Sequence, residues 1–321
     1  MPDDDRTAHD ALGVGELIGH RHRTGSLPGQ RRDPHRLALV IEGGASRGAF
    51  SHGMAMALEE LGVLPSFDAV YGASAGALNG AWLLCGRARD SERAWAPEVI
   101  DRVISPIRAL RGGPVVDTRY LVHTVYERLV PMDFPAILAN PITFHPIATD
   151  ADTGAAVDLH AGLTDSRSIQ IALRASTCMP ILAGKPVRIG ARRYVDAGLS
   201  EAVPIRTALA QGATRVLVLR TRRDNEIARP PSALENQVVA RYLSRRAPGA
   251  VGPWLGHGQR QLADEREFTD HPAVLQIRPP RNAPDISRTD RGAELLTRAL
   301  SLGREVTART LADYLTPMIS T

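Results

Sequence analysis

The sequence predicts an α/β domain with a mainly parallel central sheet. Two observations carry that expectation. Short, continuous apolar runs of strand length recur along the chain, as in strands buried on both faces. Each is followed by a glycine-bearing turn and a segment of helical periodicity, the alternation that builds parallel sheets.

Order begins at Leu37-Ala38-Leu39-Val40-Ile41, an apolar run. A glycine-rich turn spans Gly43 to Gly48, and a helix follows with apolar residues at Phe50, Met54, Ala57, Leu58 and Leu61, ending at Gly62. The unit repeats at once, with a strand over 67–71, a turn over 72–76 and a helix over 77–85. A strand is expected over 141–148, a turn over 149–154, a helix over 166–175 and a short strand over 193–195. A helix over 205–211 closes at Gly212, and 215–219 is another buried strand. Residues 222–260, rich in Arg, Pro and Gly, suggest a mobile loop or cap. A further strand is expected over 273–277. A capping pattern at Ser287-Arg288-Thr289-Asp290 suggests the start of a last helix carrying Leu295, Leu296, Ala299, Leu300, Val306 and Leu311. The expected domains are a disordered polar and basic arm (1–36), a catalytic domain (37–220) and a C-terminal extension packed on it (221–321).

Composition narrows the function. The 321 residues suffice for one large domain or two small ones. No apolar run reaches the roughly 18 residues that span a bilayer. The start, Met1-Pro2-Asp3-Asp4-Asp5, lacks the basic and then apolar order of a secretory signal, so a cytoplasmic location is expected. The net charge of +4 comes from arginine, since Lys185 is the only lysine. A basic patch between His20 and Arg36 suits solvated disorder in the first place, or contact with anionic lipid or nucleic acid. Aromatic residues make up 4%, too few for a nucleic-acid stacking platform, and no nucleic-acid partner is expected. Cys85 and Cys178 sit beside apolar residues outside any CxxC pattern, so reduced, buried thiols are expected. There is no calcium loop and no zinc spacing, and no metal or other cofactor is expected.

Three motifs carry chemistry. Gly72-Ala73-Ser74-Ala75-Gly76 is a G-x-S-x-G between an expected strand and helix, the setting of a nucleophile elbow. The plainer alternative is a glycine-rich turn with an N-capping serine. Glu42-Gly43-Gly44-Ala45-Ser46-Arg47-Gly48 offers a cluster of backbone N–H groups. A P-loop would need Lys and then Ser or Thr after Gly48, where Ala49 and Phe50 stand, and a dinucleotide fingerprint needs glycine at Ala45. An oxyanion loop survives. Tyr194-Val195-Asp196-Ala197-Gly198 places an aspartate after a strand of the same pattern, where it either forms a turn or meets Ser74 at one sheet edge.

In this order the motifs resemble the patatin-like phospholipase family, with its G-G-G-x-R/K-G loop, G-x-S-x-G and D-G-G or D-G-A. The stretches LALVIEGGASRGAFSHG, DAVYGASAGALNGA, ALRASTCMP and YVDAGLSEAVPI carry the resemblance, over about residues 37–220. It implies a three-layer sandwich with helices on both faces of the sheet. It implies a serine hydrolase acting on acyl esters of lipids, with Ser74 as nucleophile and Asp196 as general base, and no histidine. Gly43, Gly44 and Ala45 would form the oxyanion hole, Arg47 and Gly48 would support that loop, and Gly72 and Gly76 would shape the elbow. Arg47 is equally readable as a salt-bridged surface residue. Two positions depart from the family pattern, Ala45 and Ala197. The expected partner is a lipid ester or phospholipid, met by peripheral contact with a membrane through the basic arm or the stretch around Trp254. Transacylation by the same pair, or a lipid-binding protein with a decayed site, are the other readings. The sequence sets no oligomeric state.

Overall fold

In the computed structural model, described for residues 12–224, 226 and 232–316, one mixed sheet forms the centre. Its strands are β1 (Leu37–Ile41), β2 (Ala69–Ala73), β3 (Thr143–Asp150), β4 (Ala156–Asp158), β5 (Val187–Ile189), β6 (Arg192–Val195), β7 (Arg215–Leu219) and β8 (Val274–Ile277). The order is β5-β6-β3-β2-β1-β7-β8, with β4 paired to β3 off this path. The run from β3 to β8 is parallel, whereas β4, β5 and β6 join by antiparallel pairing.

The apolar runs are buried on both faces because alternate residues serve different layers. Leu37, Leu39, Ile41, Leu217 and Leu219 face a core shared with Phe50, Met54 and Trp82. These come from α2 (Gly48–Glu60) and α3 (Ala75–Leu84), and α8 (Ala293–Leu315) adds Leu296, Ala299, Leu300 and Leu311. Ala38, Val40, Tyr71, Val216 and Val218 face the opposite core, closed by α5 (Ile205–Ala210) and by Phe268 of α7 (His257–Phe268). The result is the three-layer arrangement expected. Helices α2 and α8 approach so closely that a Cβ on Gly53 would lie 2.0 Å from the Leu300 carbonyl oxygen.

The segment 1–36 differs from the expected disordered arm. Residues 1–11 lie outside the described residues, but Val14–Arg23 is a helix, α1, with Val14, Leu17 and Ile18 buried. Its reason is a non-local ion pair. Arg21, fully buried, donates to Asp33 at 3.0 and 2.6 Å and to Asp68 at 2.8 Å. Arg31 also binds Asp68, at 2.7 Å. These arginines of the basic patch are committed inside the protein and do not form the free membrane contact expected.

Within the stretch read as a loop or cap, a helix stands at Ala233–Arg246, α6, with the Ser232 hydroxyl accepting from the Glu235 N–H at 3.1 Å. In the stretch expected to meet a membrane, Trp254 itself is buried with Val239 and Leu243, whereas its neighbour Leu255 is exposed. The pattern at Ser287 caps no helix: Asp290 accepts from the Ser287 N–H and hydroxyl, at 3.2 Å each, in a turn, and α8 begins after Gly292. Cys85 and Cys178 are free and buried.

Candidate active site

The site is made where two ladders run out beside Ala148. Strand β2 pairs with β3 up to Ala73↔Ile147, and β6 pairs with β3 up to Thr149↔Val195. One residue beyond each comes Ser74 on one side and Asp196 on the other. The aspartate therefore arrives on an antiparallel strand, not on one more parallel strand of the repeating pattern.

Ser74 takes φ 52° and ψ −122°, a strained conformation between β2 and α3. Its hydroxyl caps no helix N–H; it donates to Asp196 Oδ2 at 2.8 Å. Close packing shapes the turn. A Cβ on Gly76 would lie 2.2 Å from the Ile41 carbonyl oxygen, and one on Gly72 would lie 2.5 Å from Ala77 Cα. The Ser74 N–H donates to the buried Ser176 hydroxyl at 2.9 Å, a support that no motif in the sequence marks. Ser176 ends the helix α4 (Ser166–Ser176), within the ALRASTCMP stretch.

Asp196 is held on all sides. Its N–H donates to the Cys178 carbonyl at 2.9 Å, its carbonyl accepts from Thr149 Oγ1 at 2.7 Å, and Oδ1 accepts from the Gly198 N–H at 2.8 Å. Burial pushes its carboxyl up to about 6, against the hydrogen bonds from Ser74 and Gly198 that favour the carboxylate.

The glycine loop after β1 is fixed by the end of β7. Glu42 Oε2 accepts from Arg220 Nε at 2.9 Å and from the Thr221 N–H at 2.7 Å, and the Thr221 hydroxyl donates to the Gly43 carbonyl at 2.9 Å. Although burial opposes ionisation, Arg220 and Arg222 hold the Glu42 carboxyl down to about 2. Gly43 corrects one expectation: its N–H is spent on the Ala202 carbonyl at 3.0 Å and does not face the serine. The N–H groups of Gly44 and Ala45 donate to no group among the described residues, and the same holds for Ala75 at the start of α3. Ala75 was missed, although the residue after an elbow nucleophile is a known donor position. Ala45 has φ 52°, the left-handed region, whereas Ala197 has no positive φ. Gly48 packs against α3, where a Cβ would meet Ala75 Cβ at 2.7 Å.

The Arg47 N–H donates to the Gly44 carbonyl at 3.1 Å within the loop, but its guanidinium makes no hydrogen bond or salt bridge among the described residues, and its Nε is buried without a partner. Arg47 lines a cavity of about 300 Å³ together with Ser74, Asp196, Arg222, His257 and Arg288. The His257 ring contacts Gln261 at 3.1 Å, and neither it nor His271 bonds to Ser74 or Asp196. No group of His, Cys, Asp and Glu that could hold a metal ion occurs among the described residues.

The family model for patatin-like phospholipase matches residues 39–209, from β1 through the aspartate loop. The chain belongs to the patatin-like phospholipase family. By that membership it is a hydrolase of lipid esters. The uncharacterized protein YjjU of Escherichia coli (strain K12) is 27% identical over 260 residues, 77% of this chain and 70% of that one. Among solved structures, VipD from Legionella pneumophila is 14% identical with a TM-score of 0.48, covering 87% of this chain and 67% of that one. The human GIVD cytosolic phospholipase A2 in complex with methyl gamma-linolenyl fluorophosphonate is 12% identical with a TM-score of 0.45, covering 94% of this chain and 61% of that one.

Proposed function

We propose that this patatin-like protein cleaves acyl esters of lipids through a Ser74–Asp196 dyad and an acyl-enzyme. The observation that carries the reading is the 2.8 Å hydrogen bond from the Ser74 hydroxyl to Asp196 Oδ2. Ser74 Oγ attacks the ester carbonyl while its proton passes to Asp196. The carbonyl oxygen gains negative charge and faces the unspent N–H groups of Gly44, Ala45 and Ala75, with the positive end of α3 behind them. Collapse breaks the ester bond, and the leaving alcohol takes the proton from Asp196. A water then gives a proton to Asp196 and attacks the acyl-serine, and collapse frees the fatty acid as Asp196 returns that proton to Ser74 Oγ. A carboxyl near 6 suits a base that must be ionised at neutral pH yet still accept a proton.

The substrate class follows from the family and is met at an interface. Ile181 and Val238 line the cavity that contains Ser74, and both are exposed, as is Leu234 one helical turn from Val238. This apolar rim suits peripheral contact with lipid. Among the described residues no helix is long and apolar enough to cross a membrane.

Labelling with a fluorophosphonate tests the assignment. The probe is expected to label the full chain at the peptide containing Ser74, and to leave Ser74→Ala unlabelled. Equal labelling of the two would refute it.

A further inference from the structure

Among the described residues, three that are not glycine take a positive φ: Ala45 at 52°, Ser74 at 52° and Ile181 at 67°. All three line one cavity, of about 300 Å³. Ser74 and Ala45 already have parts in the reading above, as nucleophile and as a donor of the loop that faces the ester. Ile181 has none, and its backbone is the least expected of the three. A β-branched side chain crowds the left-handed region, where glycine sits freely.

The strain has a local cause. The Pro180 carbonyl accepts from the Leu182 N–H at 2.7 Å, which closes a three-residue turn on Ile181 in its rare form, with the central φ positive. The turn is held at both ends. Before it, the Cys178 carbonyl accepts from the Asp196 N–H and the Met179 carbonyl from the Ala183 N–H, each at 2.9 Å. After it, the Leu182 carbonyl accepts from the Val116 N–H at 2.8 Å, and the Gly184 carbonyl accepts from the Tyr242 hydroxyl. Strain of this kind persists where the surroundings over-determine the backbone, and it collects at active sites and ligand clamps.

The fold itself draws little from isoleucine at this place. Met179 and Leu182 pack against the main core, whereas Ile181 stands 39% exposed. Glycine or asparagine would take the same backbone with less strain. The side chain is nevertheless large and apolar, and it lines the cavity of Ser74 together with Leu199, Val238 and Trp254. Its open apolar face is left for a molecule that enters that cavity.

We propose that Ile181 is a specificity-determining residue, held by its strained turn so that it packs against a hydrocarbon chain of the ester cut at Ser74. The proposal rests on the hydrolase reading above. Each methylene that covers the open face of Ile181 leaves water and adds to binding. Chains too short to reach it gain nothing from it.

The test uses the purified full chain and two pairs of esters in free solution. The acyl side is read from p-nitrophenyl octanoate against p-nitrophenyl acetate, and the alcohol side from octyl acetate against ethyl acetate. The wild type is expected to prefer the long-chain member of at least one pair in kcat/KM. Ile181→Gly is expected to lower that preference about tenfold, through KM, and to leave the short-chain esters unaffected. Its Tm should hold, because relief of strain offsets a freer unfolded chain. Ile181→Val, one methylene smaller, should keep most of the preference. A loss confined to p-nitrophenyl octanoate assigns the acyl chain to Ile181, and a loss confined to octyl acetate assigns the chain of the alcohol. A preference unchanged in Ile181→Gly overturns the proposal. So does an equal fall for long and short esters with a lower Tm, which would make Ile181 structural only. Calorimetric binding of the esters to Ser74→Ala separates the two readings. Tighter binding of a long-chain ester there, weakened about tenfold on adding Ile181→Gly, with no turnover of any ester by the wild type, would retain the chain contact and remove the hydrolase. Turnover by the wild type with a preference that Ile181→Gly leaves intact would do the reverse.

Discussion

The backbone of Ser74 hangs from Ser176: the Ser74 N–H donates to the Ser176 hydroxyl at 2.9 Å, and Ser176 is wholly buried. A residue at φ 52° and ψ −122° persists only where its surroundings hold it. Ser176→Ala removes the acceptor and leaves a buried N–H unsatisfied, at about 1–3 kcal/mol. A lower Tm and a fall in kcat of about tenfold are expected, with KM little changed. Unchanged kcat would show that Ser176 does not position the serine.

Ala45 sits in the left-handed region at φ 52°. Glycine adopts it freely, so Ala45→Gly should stabilise the protein by about 0.5–1 kcal/mol, or leave stability level if the unfolded chain gains as much freedom. Ester turnover should be kept or slightly raised. A loss beyond about tenfold, roughly 1.4 kcal/mol in the barrier, would contradict a left-handed backbone at this place in the loop.

Burial lifts the Asp196 carboxyl from 3.8 to about 6. The folded protein therefore holds a proton there that the unfolded chain has lost, and this group's contribution to stability falls as pH rises from about 4 to about 6. Two consequences follow. Turnover should drop as pH falls below about 6, because the base becomes protonated. Asp196→Asn should be more stable than wild type at pH 8, by at most about 3 kcal/mol, with the gap closing toward pH 4. Thermal unfolding across that range checks this, and a gap that widens on acidification would refute it.

Glu42 behaves oppositely. Its carboxyl is held at about 2, below its ordinary 4.5, so the stability it contributes is complete above about 4.5 and is lost as pH falls toward 2. Glu42→Gln leaves the buried Arg220 with Glu265 as its remaining ion pair, and a loss of about 3 kcal/mol is expected at neutral pH. Denaturant titration at pH 7 and pH 3 should show the penalty shrinking in acid.

What the sequence disclosed was what neighbours along the chain decide. The strand runs at Leu37 and Arg215, the elbow at Ser74 and the turn at Asp196 are local patterns, and each stands where its pattern placed it. What it concealed depends on distant partners. Helix α1 was hidden because Arg21 reads as a solvated charge until Asp33 and Asp68 enclose it. The Gly43 N–H looked free for an oxyanion because its acceptor, Ala202, comes from a loop far along the chain. Ser176 carries no motif of its own. The start of α6, by contrast, was legible: Ser232 and Glu235 form a capping pattern within a stretch whose Arg and Pro content suggested a loop. Exposed Leu234 and Val238 leave that helix only a thin apolar stripe.

The central claim is a dyad without histidine, and one comparison tests it directly. The full chain and its Ser74→Ala, Asp196→Asn, His257→Ala and His271→Ala variants would be assayed for hydrolysis of a short-chain p-nitrophenyl ester, with folding checked by circular dichroism. Ser74→Ala and Asp196→Asn are expected to lose several powers of ten in kcat, as removal of a nucleophile or its base does. The two histidine variants are expected to keep a sizeable fraction of the rate. A folded His257→Ala or His271→Ala as inactive as Ser74→Ala, or an Asp196→Asn that turns over at the wild-type rate, would contradict the dyad.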